Sequence, residues 1–114
     1  MRMWMIDPKL LCNKHLTGEH VECHMLVGCI NRGMSLDGYV RNGLIEPHNI
    51  KRRHDSLERE MLSRGMNANS PLSKFEARRS GSVSKAANIN ELSRRCLECK
   101  KRFEKHNKGG ARWE

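Results

Sequence analysis

A chain of 114 residues has room for one small domain. Its 22 Lys and Arg against 13 Asp and Glu give a formal charge of +9, which favours polyanions, chiefly nucleic acid. Aromatics at 4% argue against a single-strand binder built on stacked rings, and five cysteines exclude complete internal pairing. No apolar run approaches the roughly 18 residues that cross a bilayer. The opening "MRMWMIDPKL" lacks a signal peptide's apolar core, so the expectation is a soluble, cytoplasmic protein (host cytoplasm if viral) with free thiols.

Residues 1–12 read as an entry segment, in which Pro8 can open a helix with Asp7 as its cap. Asn13 is a second cap position. A helix is expected from there to about Arg32, stopping at Gly33, with Leu16, Cys23, Val27 and Ile30 on its apolar face. Gly18 weakens it and offers room for the close approach of another backbone. Residues 35–44 form a short helix or a turn pair, interrupted by Gly38 and closed by Gly43. Pro47 opens the next helix, which runs to about Arg64 on a stripe of Ile50, Leu57, Met61 and Leu62, and Gly65 ends it. "NANSPL", 67–72, is a turn. Residues 73–87 are basic and Ser-rich and read as a flexible linker. In the last segment Ile89, Leu92, Cys96, Cys99 and Phe103 are spaced 3, 4, 3, 4, the stripe of one amphipathic helix. Strand-like alternation is absent. The expected fold is all-α: a compact single domain with a helical core over 1–72, a linker over 73–87, and an amphipathic helix and tail over 88–114.

Two groupings have the chemistry of metal ligands. Cys96-x-x-Cys99 with His106 is one, but both thiols fall on the apolar stripe, where cysteine packs as a small hydrophobe. Cys12, His15, His20, Cys23 and His24 form the other. His20 and His24 lie one turn apart, yet Val21 stands where the HExxH zinc pattern requires glutamate. Packing thiols and solvated histidines are the preferred readings, with no metal assigned. The acids of this helix are more informative. His15, Glu19 and Glu22 lie at i, i+4 and i+7 and share one face. Carboxylates in a positive groove repel phosphate, and their presence there points to acid–base work.

The stretch "MRMWMIDPKLLCNKHLTGEHVE" resembles the opening of the phage-type pyrimidine-dimer DNA glycosylases, the endonuclease V family. His15-Leu16-Thr17-Gly18-Glu19-His20-Val21-Glu22 matches the family's His-Leu-x-x-Glu-x-x-Glu, and "SLEREMLSRGMN", 56–67, is similar to its Leu-x-x-Glu-x-x-x-Arg-Gly-x-Asn helix end. The resemblance implies a compact helical DNA glycosylase with linked AP-lyase activity, acting on double-stranded DNA without a metal or organic cofactor. It implies that the α-amine of Met1 attacks C1′ of the damaged nucleotide, and that a Schiff base and β-elimination follow. Glu22 would assist at the sugar, His15 and Glu19 would flank it, and Arg2 would be the basic residue beside the amine. A terminal amine, with an ordinary pKa of ~7.7–8.0, suits this role better than a lysine at ~10.4. Arg2 is too large for methionine aminopeptidases to remove Met1, so the first amine is expected to be that of Met1. Lys51, Arg52, Arg53 and Arg64 are candidates for DNA-backbone contacts. A charge of +9 serves RNA as well as DNA.

The chain departs from the family in places. Val21 and Met25 stand where well-studied members have basic residues, the tail carries only Trp113 where they are rich in aromatics, and Ala68 stands where a more distant branch has histidine. Two rival readings are a metal-dependent nuclease using His20, His24, His48 and His54, and a non-catalytic nucleic-acid-binding or regulatory protein on the same scaffold.

Overall fold

Asp7 accepts a hydrogen bond from the Lys9 N–H at 3.0 Å and Pro8 follows it, so the chain enters through a single 3-10 turn, Pro8–Leu10. The long helix α1 (Asn13–Asn31) starts at once, capped by Cys12, whose Sγ accepts from the His15 N–H. Gly33, at φ +73°, ends the segment where the sequence predicts. The short α2 (Asp37–Arg41) includes Gly38, and Gly43 follows it at φ +69°. Pro47 leads through a 3-10 turn, Pro47–Asn49, into α3 (Ile50–Ser63), which Gly65 terminates at φ +81°. Helices α4 (Lys85–Arg95) and α5 (Leu97–Lys108) complete an all-α single domain. The computed structural model describes residues 1–108, and Trp113 lies outside them.

Helices α1 and α3 pack on each other and form the frame. Leu16, Cys23 and Leu26 of α1 meet Ile50 and Leu57 of α3 in one core, joined by Met3, Ile6 and Leu11 of the entry segment and Leu92 of α4. All eight of the aliphatic side chains and thioethers in that set, and Cys23 with them, are at most 1% exposed. Leu62, expected on the α3 stripe, is 55% exposed. It lies one residue past Met61 and so about 100° round the helix from the buried face. Gly18 meets nothing within 4 Å, so it admits no neighbouring backbone and leaves open space instead.

The C-terminal third differs from expectation in two ways. The segment expected to be a flexible linker is fitted against the core: Asn31 Nδ2 donates to Lys74 O at 3.0 Å, Ser80 N–H to His48 Nδ1 at 3.1 Å, and Val83 N–H to Glu46 Oε2 at 2.7 Å. Leu72 and Phe75 pack on the core beside it, and residues 85–87 already belong to α4. The stripe from Ile89 to Phe103 is also not one helix. Cys96 caps the end of α4 in extended backbone, φ −136° and ψ 110°, and α5 restarts at Leu97. Neither glycine nor proline marks this break. Among the described residues no helix is long and apolar enough to cross a membrane.

Gly81 tests the fit of this strap, the segment from 73 to 84, against the core. Its φ is +77°, and a Cβ there would stand 2.6 Å from Ile45 O. Gly81→Ala should therefore destabilise the protein by about 1–3 kcal/mol, seen as a lower urea midpoint with an unchanged slope. A variant as stable as the parent would mean that the strap does not bear on the fold.

Candidate active site

The site begins with the entry arm. Met3 donates its N–H to Leu44 O at 2.8 Å, and Met3, Trp4 and Ile6 are all buried. Met5 between them adopts φ +57°, a left-handed conformation that costs a non-glycine residue energy. That kink turns the arm so that Trp4 faces the start of α1, where its ring meets His15 edge-on at 6.1 Å. The Arg2 guanidinium lies over the Trp4 ring at 4.1 Å, a cation–π contact. Helix α4 closes over the arm. Asn88, itself buried, accepts from Arg2 Nη2 at 2.7 Å and donates to Trp4 O at 2.8 Å.

Between arm and helix lies a cleft of 440 Å³, lined by Trp4, Lys14, His15, Gly18, Glu19, Val21 and Glu22. The open space at Gly18 belongs to it. Glu22 is half-buried, and its carboxyl titrates above the usual range. Burial is the main cause, and the charge of Glu19 adds to it. The Met1 ammonium, the Arg2 backbone N–H and the Arg2 guanidinium act in the opposite direction. His15 titrates below its usual value, chiefly from burial and then from Lys14 and Arg95. Arg2 is lowered as well, by burial first and Arg95 next. Three expected site residues, His15, Glu19 and Glu22, thus line one cleft, and the charge of the Met1 amine reaches it. Sequence reasoning missed Trp4, Lys14 and Arg95. Nothing local marks Trp4 as part of a site, and the two cations lie among 22 Lys and Arg.

The four cations expected at the DNA backbone, three on α3 and Arg64 at its end, divide into two kinds. Arg52 and Lys51 are exposed, Lys51 in a pair with Asp55 at 3.1 Å. Arg53 is buried. Its Nε and Nη2 grip both oxygens of Glu19 at 2.5 and 2.8 Å, and Nη1 donates to Ile6 O at 2.6 Å. Glu19 is 1% exposed, so its carboxylate lies behind the cleft wall, paired, and does not project into the open space. Arg64 is likewise committed within the chain, donating to Asn13 Oδ1 and Leu11 O, both at 2.8 Å, to Pro8 O at 3.1 Å and to Glu60 Oε2 at 2.8 Å. Long basic side chains read as surface in a sequence, and nothing local marks the two that serve as internal clamps.

A second constellation lies between α1 and α3. His20 and His24 face His54 of α3, with one ring nitrogen of each within 4.8 Å of the others. Glu58 Oε2 stands 3.3 Å from His20 Nε2 and 3.2 Å from His54 Nε2. His54 Nε2 also lies 3.0 Å from Ser70 O. His48 is not part of this group. Ala68, where a branch of the resembled family has histidine, is buried in the core.

A sequence profile described as pyrimidine dimer DNA glycosylase matches residues 1–74, which include α1, α3 and the entry arm. No curated protein and no solved structure gives a match to the chain.

Two measurements test this electrostatic design. Arg53→Ala leaves a carboxylate buried and unpaired, and should lower the unfolding free energy in urea by about 3–5 kcal/mol. A loss below about 1 kcal/mol would mean that water screens the pair. Glu22 is a carboxyl raised by folding, so its ionisation opposes folding. Glu22→Gln should raise the thermal midpoint at pH 7. The gain should fade as pH falls through the folded-state value towards the ordinary 4.5, where the parent is itself neutral.

Proposed function

Since this chain belongs to the pyrimidine dimer DNA glycosylase family, whose substrate is DNA, we propose that it works inside the cell, excising damaged bases from double-stranded DNA through its terminal amine and then nicking the strand. The observation that supports this reading is the half-buried carboxylate of Glu22 in the cleft, under the influence of the Met1 ammonium and of Arg2.

The chemistry runs in order. The Met1 amine, as the free base, forms a bond to C1′ of the nucleotide while the glycosidic bond breaks and the base leaves with its electron pair and a proton. Positive charge grows at the sugar as this happens, and the ionised Glu22 beside it stabilises that charge. Ring opening gives a Schiff base between the amine and C1′. Loss of a C2′ proton then expels the 3′ phosphate by β-elimination. A carboxylate whose pKa is raised by burial is a better proton acceptor than an exposed one, which suits Glu22 to these proton transfers. Hydrolysis of the imine returns the amine.

The remaining residues support this pair. Glu19 acts at one remove, its charge raising Glu22 while Arg53 fixes its position. His15 supports Trp4 edge-on and so the arm. Lys14 at the cleft, with exposed Arg52 and Lys51 on α3, supplies phosphate contacts. Arg2 is buried at Nε with no hydrogen-bond partner, a donor left over for the nucleotide. Bases stacked in a duplex are out of reach of a cleft of 440 Å³, so the target nucleotide is extruded or the helix distorted.

A second reading, a metal-dependent nuclease, has one observation in its favour, the His20, His24, His54 and Glu58 constellation. Borohydride separates the two. On duplex DNA carrying an abasic site or an ultraviolet lesion, the amine enzyme should be trapped as a covalent adduct that peptide mass spectrometry assigns to Met1. Acetylation or an N-terminal extension should abolish it. Glu22→Gln should lose turnover while keeping salt-dependent binding. Strand cleavage with no adduct, and its loss in His24→Ala, would move the function to the histidines.

A further inference from the structure

Cys12 and His15 are separated by two residues, and so are Cys96 and Cys99, 84 positions later in the chain. The fold brings the two pairs together. Cys12 Sγ lies 3.2 Å from His15 Nδ1 and 3.7 Å from Cys96 Sγ, and Cys99 Sγ lies 3.7 Å from His15 Nδ1. One ligand atom from each of the four residues lies within 4.8 Å of the other three. Zinc–sulfur bonds near 2.3 Å and zinc–nitrogen bonds near 2.0–2.1 Å give a tetrahedron with edges of roughly 3.5–3.8 Å. The two separations of 3.7 Å fall on those edges, the one of 3.2 Å lies just inside them, and every other pair is within 4.8 Å.

Thiols that merely pack need none of the surrounding detail. Every sulfur here accepts a backbone N–H: His15 donates to Cys12 at 3.5 Å, Cys99 to Cys96 at 3.5 Å, and Cys12 to Cys99 at 3.4 Å. Such donors stabilise thiolates and orient metal-bound sulfur. The helix break at Cys96, which occurs without glycine or proline, turns that thiol towards Cys12 and frees the Cys99 N–H to donate to it. Among the described residues, Cys23 and Cys29, the other two cysteines, belong to no such group. His106, the third ligand suggested by the sequence, is not a member either; the second half of the set comes from the start of α1.

We propose that Cys12, His15, Cys96 and Cys99 form a structural zinc site of Cys3His type. Four protein ligands leave no open position for a substrate, which makes the site structural and not catalytic. Binding of Zn²⁺ displaces the three thiol protons, while the neutral imidazole contributes the Nδ1 lone pair. The metal fastens the N-terminus of α1 to the α4–α5 junction. Helix α4 carries Asn88, the clamp on Arg2 and Trp4, so the zinc would hold the lid that positions the reactive arm. The assignment does not depend on the proposed glycosylase chemistry.

The test uses the full chain. Purified from zinc-supplemented cells under reducing conditions, it should carry one zinc atom by plasma mass spectrometry. Its cobalt-substituted form should show intense thiolate-to-cobalt charge transfer together with tetrahedral visible bands. Cys96→Ser should weaken zinc binding by more than the roughly 10–100-fold that follows loss of an outer-shell partner. Cys29→Ser should bind as the parent does, and Cys96→His should retain the metal with weaker charge transfer. If Cys96→Ser does not fold, the cobalt spectrum of the parent decides. A protein free of zinc, a Cys12–Cys96 disulfide in its place, or cobalt bound without sulfur charge transfer, as the histidine cluster would give, overturns the proposal.

Discussion

The buried pair of Arg53 and Glu19 is the constraint on which the rest of the molecule depends. It is bidentate, almost fully excluded from water, and extended by a third bond to the carbonyl of Ile6. One guanidinium therefore fixes α1, α3 and the entry arm relative to one another. Apolar packing between the two helices would tolerate sliding or rotation by a fraction of a turn. A fork-to-fork ion pair in a dry interior does not, because any displacement uncovers charge. The direction in which the arm leaves Ile6, and so where the chain's first residues come to lie, follows from this lock.

The same pair shapes the chemistry next to it. Arg53 pairs with both oxygens of the buried Glu19, yet the field of Glu19 still reaches Glu22, one turn away, and disfavours ionisation there. Glu22 is thus held between influences of opposite sign, with burial and Glu19 on one side and the Met1 ammonium and Arg2 on the other. In the proposed reaction such a balance suits a group that has to accept and return protons. Stability is given up at this point: a half-buried acid near another acid opposes folding.

Much of the frame was legible in the residues. Asp7-Pro8, the glycines at 33, 43 and 65, and Pro47 act through local backbone chemistry, and local chemistry can be read from a string. Heptad-like spacing in α1 and α3 gave most of the buried faces for the same reason. What could not be read was set by distant parts of the chain. Nothing near Arg53 or Arg64 says that each is enclosed by carbonyls and carboxylates from the other end of the core. The stripe from Ile89 to Phe103 obeys helical periodicity throughout, yet the backbone breaks within it at Cys96, whose thiol meets Cys12, 84 residues away. Cysteine is ambiguous in this way, being a hydrophobe by size and a ligand by chemistry, and only its neighbours in space decide between the two.

Asn88 stands beyond the stretch that the family profile recognises, yet it bonds residues 2 and 4, where the proposed reaction begins. The recognisable core is therefore incomplete as a machine: it owns the carboxylate, while the brace for the reacting end is contributed by the unrecognised remainder. A minimal fragment cut after residue 74 would keep the motif by which the family is known and release the arm that the motif serves.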